Sequence, residues 1–129
     1  MKGIRAKRIK IRIGNVWTSP TLHILLTKED EVIVARCLDF TVSSHGHDEK
    51  EALVSLADCI KEYVITAIET QSTDTIVDPA HGKYWRMYYE LESKKSLSRL
   101  KSSLRKPSGP ISYEDMEDMK TIVPEINYA

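Results

Sequence analysis

Four runs of residues, LHILLT (22–27), VIVARCLD (32–39), TVSSHG (41–46) and DEKEALVSLADCIKEYVITAIET (48–70), decide how this chain folds. Across them the apolar period changes from about two to about 3.6 at Asp48, the mark of strands giving way to a helix. In the first run Leu22, Ile24 and Leu26 point one way and His23, Leu25 and Thr27 the other, because successive strand side chains alternate. Charged residues Lys28, Glu29, Asp30 and Glu31 connect this run to the β-branched Val32, Ile33 and Val34, which predicts an antiparallel hairpin. A third strand starts at Thr41 and ends where Gly46 allows a turn.

The helix reading rests on caps as well as period. Asp48 is placed to accept from the unpaired amides of the first turn, and Glu51, three residues later, completes a capping-box spacing. Leu53, Leu56, Ala57, Ile60, Val64, Ala67 and Ile68 form one apolar stripe, with Glu49, Lys50, Lys61, Glu62 and Glu69 off it. Such a stripe must cover something, and the nearest apolar surface is one face of the three-strand meander.

Working outward, residues 4–13 (IRAKRIKIRI) alternate Ile9, Ile11 and Ile13 with Arg8, Lys10 and Arg12. That predicts a further strand with a basic outer face. Its charges serve either to protect a sheet edge or to follow a phosphate backbone. Residues 15–21, with Trp17 and Pro20, read as a loop. Beyond the helix, 83–92 (KYWRMYYELE) fits two periods: Trp85, Met87, Tyr89 and Leu91 alternate as in a strand, while Tyr84, Tyr88 and Leu91 also line a helix face. The aromatic content favours a strand. Its aromatics suit core or interface packing, or stacking on bases. Residues 94–106 read as a short basic helix with Leu97, Leu100 and Leu104 on one face, stopped by the Pro107-Ser108-Gly109-Pro110 run. Residues 111–120 read as a last acidic helix, and 121–129 as an extended tail.

The order of hairpin, third strand, Gly46-His47-Asp48-Glu49-Lys50-Glu51-Ala52-Leu53 and long helix resembles the HicB-like antitoxins. The resemblance covers about 22–70. In place of the family's Pro-Asp-Leu-Pro-Gly-Cys-like turn this chain has Cys37-Leu38-Asp39-Phe40-Thr41, which keeps the aspartate but neither proline nor glycine. The resemblance implies a partial ribonuclease-H-like fold without catalytic acids, and a further strand after the helix, for which 83–92 is the candidate. The expected architecture is therefore α+β: an antiparallel β-β-β-α unit with an extra N-terminal strand, a further strand after the long helix and a short C-terminal helix. Residues 1–93 would form the HicB-like domain, and 94–129 a basic helix with an acidic tail.

Composition bounds the chemistry. The 129 residues carry no net charge, are 41% hydrophobic and 29% charged, and suffice for one domain with a real core. The basic N-terminus leads into no signal-type apolar run and no stretch is long enough to span a bilayer, so a cytosolic protein is expected. Cys37 and Cys59 have no metal or redox spacing, and read as reduced thiols. His45 and His47 share a strand face, as a metal site requires, yet no third ligand stands near them; two polar residues at an exposed turn is the simpler reading. Nowhere do a nucleophile, a base and an orienting group occur together, so no catalytic residue, metal or cofactor is expected.

Two functions follow as expectations. The resemblance implies an antitoxin that sterically covers a small basic HicA-like ribonuclease, with repression of its own operon through operator DNA. Glu49, Glu62 and Glu69 and the third strand would meet the toxin, since complementary potentials favour a basic partner. The alternative is a stand-alone nucleic-acid-binding module using Arg8, Lys10 and Arg12 together with Lys94, Arg99 and Lys101. Neither a helix-turn-helix spacing nor a ribbon-helix-helix pattern is present. Open sheet edges make a homodimer or higher oligomer the expected state.

Overall fold

The computed structural model describes residues 1–75 and 77–105. Met1–Ser96 form one compact unit, and a second begins at Leu97. The expected stop at 107–110, acidic helix at 111–120 and tail at 121–129 lie outside the described residues.

The unit is α+β, built on a four-stranded antiparallel sheet. Its strands are β1 (Lys2–Ile9), β4 (Leu22–Glu29), β5 (Val32–Cys37) and β6 (Val42–Gly46), in that spatial order, with β1 and β6 at the edges. The meander forms as its periodicity predicts. Its first connection is tighter than expected: Glu29 pairs with Val32, and only Asp30 and Glu31 turn, with Asp30 at φ 55°. At the second connection Thr41 takes φ 55°, a conformation costly for a β-branched residue. Its hydroxyl donates to the Asp78 carbonyl, which ties the turn to the segment that follows α1.

Residues 4–13 are not one strand. β1 ends at Ile9, and β2 (Arg12–Ile13) pairs with β3 (Trp17–Thr18) in a separate small ribbon, so the stretch expected as a loop holds a strand. Between them the chain turns Ile11 into the core, its amide donating to Ser19 Oγ at 2.8 Å and its carbonyl accepting from the Ser19 amide. β1 also carries a bulge between Gly3 and Arg5.

Helix α1 (Glu49–Glu69) begins as expected: Asp48 is the N-cap, its Oδ1 accepting from the Glu51 amide at 2.7 Å. Ala52, Leu56, Ile60, Val64 and Ala67 are buried on the sheet, against Leu22, Ile24, Leu26, Ala35 and Cys37. Gly46 is buried in β6 with no positive φ, so a turn is not what requires it. A Cβ there would lie 2.6 Å from the Ala52 amide nitrogen, and it is the close approach of strand and helix that excludes any side chain.

The sequence expectation fails at 83–92. Instead of a strand, these residues open a single helix, α2 (Gly82–Arg105), which also absorbs the separate basic helix expected from Lys94. The physical reason lies in the sheet. The edge beside β4 is taken by β1, while the face bearing Leu25 has no cover from α1. Helical spacing sets Tyr84, Tyr88 and Leu91 on one line, and Tyr88, only 1% exposed, packs on Leu25 and Leu38. Small residues on β1 make room: Ala6 joins this cluster, and a Cβ on Gly3 would lie 3.2 Å from Leu91. Helices therefore cover both faces of the sheet. Among the described residues no helix is long and apolar enough to cross a membrane.

Candidate protein-docking surface

The period that buries one side of α1 arranges its other side. Glu51, Asp58, Glu62 and Glu69 stand seven, four and seven residues apart, which on a helix is one line. All four are exposed, and none forms an ion pair among the described residues. Ser55 lies beside this line and its hydroxyl meets that of Ser44 on β6, while Glu51 borders Gly46. The acidic line runs along the outer side of α1, nearly opposite the residues buried on the sheet, and only its first member, Glu51, borders the edge strand. At its start Asp48, Glu51, Val54, Ser55 and Asp58 line a shallow groove of about 470 Å³ with Lys50. Val54 and Ile65 are exposed aliphatics on the same outer surface, 56% and 39% accessible. From Asp48 to Glu69 there are six acids against two lysines.

Of the residues expected to meet a partner, Glu62 and Glu69 belong to this line. Glu49 does not, because its carboxylate takes Arg5 Nε of β1 at 3.0 Å. Sequence reasoning passed over Glu51, assigned to capping, and Asp58. Their spacing with Glu62 and Glu69 was the available signal.

The expected basic residues are dispersed. Arg8 is paired with Glu92, and its hydrogen bond to Tyr88, followed by the Glu92 charge, holds its pKa above the ordinary value. Burial pushes the Tyr88 hydroxyl up, against the opposing hydrogen bond from Arg8. Arg12 folds back on its own turn, donating to the Gly14 carbonyl at 2.9 Å and to Asn15 Oδ1 at 3.2 Å. Lys10 is exposed just past β1. Lys94 borders a shallow surface with Arg86 and Tyr89, and Arg99 and Lys101 are exposed further along α2.

On the α2 side, Asp39 accepts from the His23 amide at 2.8 Å and lies 3.1 Å from its Nδ1, with the ring against Trp85 and Tyr88. Cys37 Sγ is 4.0 Å from the same carboxylate, but burial pushes its thiol up to about 11, so at neutral pH it is protonated and a poor nucleophile. This couple fastens the start of β4 to the end of β5. A pocket of about 380 Å³ nearby is bordered by Ser43, His81, Tyr84 and Arg36. The Arg36 guanidinium is already engaged by Glu29 at 3.0 Å and Thr27 at 2.7 Å and lies over the Tyr84 ring. His45 and His47 are both exposed, and no group of three metal-binding side chains occurs among the described residues.

No family model, curated protein or solved structure matches this chain.

Proposed function

We propose that this protein is an antitoxin-like binder that sterically neutralises a small basic ribonuclease of the HicA-like kind. The observation that carries the reading is the exposed acidic line Glu51, Asp58, Glu62 and Glu69 on the outer side of α1, without ion pairs among the described residues. Aligned carboxylates with two aliphatic side chains among them suit a cationic protein surface: the charges speed encounter and reject acidic partners, and Val54 and Ile65 supply apolar contact. Inhibition requires only that binding keep RNA from the partner's active site, so no residue here need be catalytic.

Titration calorimetry at low salt against a small basic HicA-like ribonuclease tests the proposal. Saturable binding is expected, weakened about tenfold or more when Asp58 and Glu62 are both changed to Lys. Absence of binding by the unaltered protein would refute it.

A second reading, nucleic-acid binding, draws on one observation, the exposed Tyr89 between Arg86 and Lys94 on α2. Against it, Arg8 and Arg12 are committed to partners within the chain.

A further inference from the structure

The two edges of the sheet differ in a way that deepens this reading. β1 has the devices that keep an edge from pairing: a bulge between Gly3 and Arg5, and Lys2, Arg5, Lys7 and Arg8 along its length. β6 has none of them. Val42-Ser43-Ser44-His45-Gly46 contains no lysine, arginine, carboxylate or proline, and pairs with β5 without a bulge over all five residues. Among the described residues, nothing forms a backbone hydrogen bond to its outer side. We propose that β6 is completed by a strand from the basic partner, adding a fifth strand to the sheet while its cations meet the groove of Asp48, Glu51 and Asp58 at the start of α1, which Ser55 joins to Ser44 of β6. The inference rests on the partner being basic, as proposed above.

Charge decides between occupants. A second copy pairing β6 with β6 across a two-fold axis would offer a strand without lysine or arginine, leaving Asp48, Glu51 and Asp58 at the start of α1 without a cation from the added strand. A strand with lysine or arginine at every second position meets the opposite situation: its alternate side chains project toward α1. Main-chain hydrogen bonds then supply affinity, and the acidic groove supplies selectivity.

The test uses three synthetic seven-residue peptides with the full-length protein: alternating lysine and valine, the same peptide N-methylated at every residue, and a glutamate–valine counterpart. N-methylation keeps the charge but removes the donors that an added strand needs. Fluorescence anisotropy at low salt reads affinity, and amide hydrogen exchange reads β6. The basic peptide is expected to bind and to slow exchange at 42–46. The N-methylated form should bind roughly tenfold or more weakly, the equivalent of one or two lost hydrogen bonds, and the acidic one not at all. Equal binding of plain and N-methylated basic peptides, with β6 exchange unchanged, would overturn edge pairing and leave the basic-partner reading standing. Failure of every basic peptide to bind would remove both. Slowed β6 exchange that grows with protein concentration in the absence of peptide would assign the edge to a second copy and overturn the proposal.

Discussion

Gly46→Ala probes the junction on which the candidate docking surface is built. The added methyl carbon would lie 2.6 Å from the Ala52 nitrogen, 2.8 Å from Glu51 Cβ and 2.9 Å from the Glu51 carbonyl carbon. Ordinary contact needs about 3.5–4.0 Å, so the start of α1 must move from β6 by about 1 Å. Two of the three obstructing atoms are backbone and cannot swing aside as a side chain would. Overpacking of this kind costs about 1–3 kcal/mol, and backbone obstruction argues for the upper end. For a unit of 96 residues, about 3 kcal/mol lowers the melting temperature by roughly 12–24 °C. Urea unfolding followed by circular dichroism measures the loss directly, with Gly82→Ala as control. No atom lies within 4 Å of a Cβ at Gly82, and its substitution should stay within about 0.5 kcal/mol of the parent. A Gly46→Ala protein that melts within about 4 °C of the parent would refute the close approach.

Three further outcomes follow from the geometry. Tyr88→Ala removes a 1% exposed ring from Leu25 and Leu38 and should cost about 3–5 kcal/mol, whereas Tyr89→Ala, at a 51% exposed position, should cost under about 0.5 kcal/mol; similar losses in the two would contradict the helical phase of α2. The Cys37 thiol, raised from 9.0 to about 11 by burial, stays protonated in the fold after it has ionised in the unfolded chain, so stability should be intact below pH 9.0 and decline toward pH 11. Cys37→Ser should flatten that decline in alkaline unfolding curves, and an unchanged slope would count against burial of the thiol. If α2 does bind nucleic acid, Lys94→Ala should reduce the salt dependence of binding while Arg8→Ala and Arg12→Ala leave it nearly unaltered, since those two are held by Glu92 and by the β2–β3 turn; the reverse pattern would restore the N-terminal ribbon as the interface.

The meander and α1 were legible because each shows one period and a cap: alternation through 22–27 and 32–37, then Asp48 and a stripe at 3.6. LHILLT also held a signal for the second helix. Leu25 and Thr27 are as buried as Ile24 and Leu26, and a central strand apolar on both sides needs cover on both faces. Residues 83–92 were misread because Trp85, Met87, Tyr89 and Leu91 alternate by chance along a helix whose packing line is Tyr84, Tyr88 and Leu91. Propensity favoured the strand there, and the uncovered face of the sheet overrode it. The break in 4–13 was hidden for a different reason. Ile9, Ile11 and Ile13 keep strand alternation, but Ile11 reaches the core through a turn fixed by Ser19, a contact that no local pattern encodes.

The candidate surface was half legible. Charge sign pointed to α1 as the candidate face, and Glu62 and Glu69 lie on its exposed line. The loss of Glu49 to Arg5 depends on a strand 44 residues away, which composition does not reveal. Of the bases named from the sequence, Arg8 and Arg12 are taken up by Glu92 and by the Gly14–Asn15 turn, contacts that no local pattern encodes.

The most direct test of a basic ribonuclease partner is stoichiometric. A small basic HicA-like ribonuclease would be titrated in an RNA-cleavage assay with the unaltered protein and with an Asp58→Lys, Glu62→Lys double variant. The account predicts that cleavage falls to zero near equivalence with the unaltered protein and persists at the same ratio with the variant. Cleavage that continues at a large excess of the unaltered protein, or is suppressed equally by the variant, would contradict it.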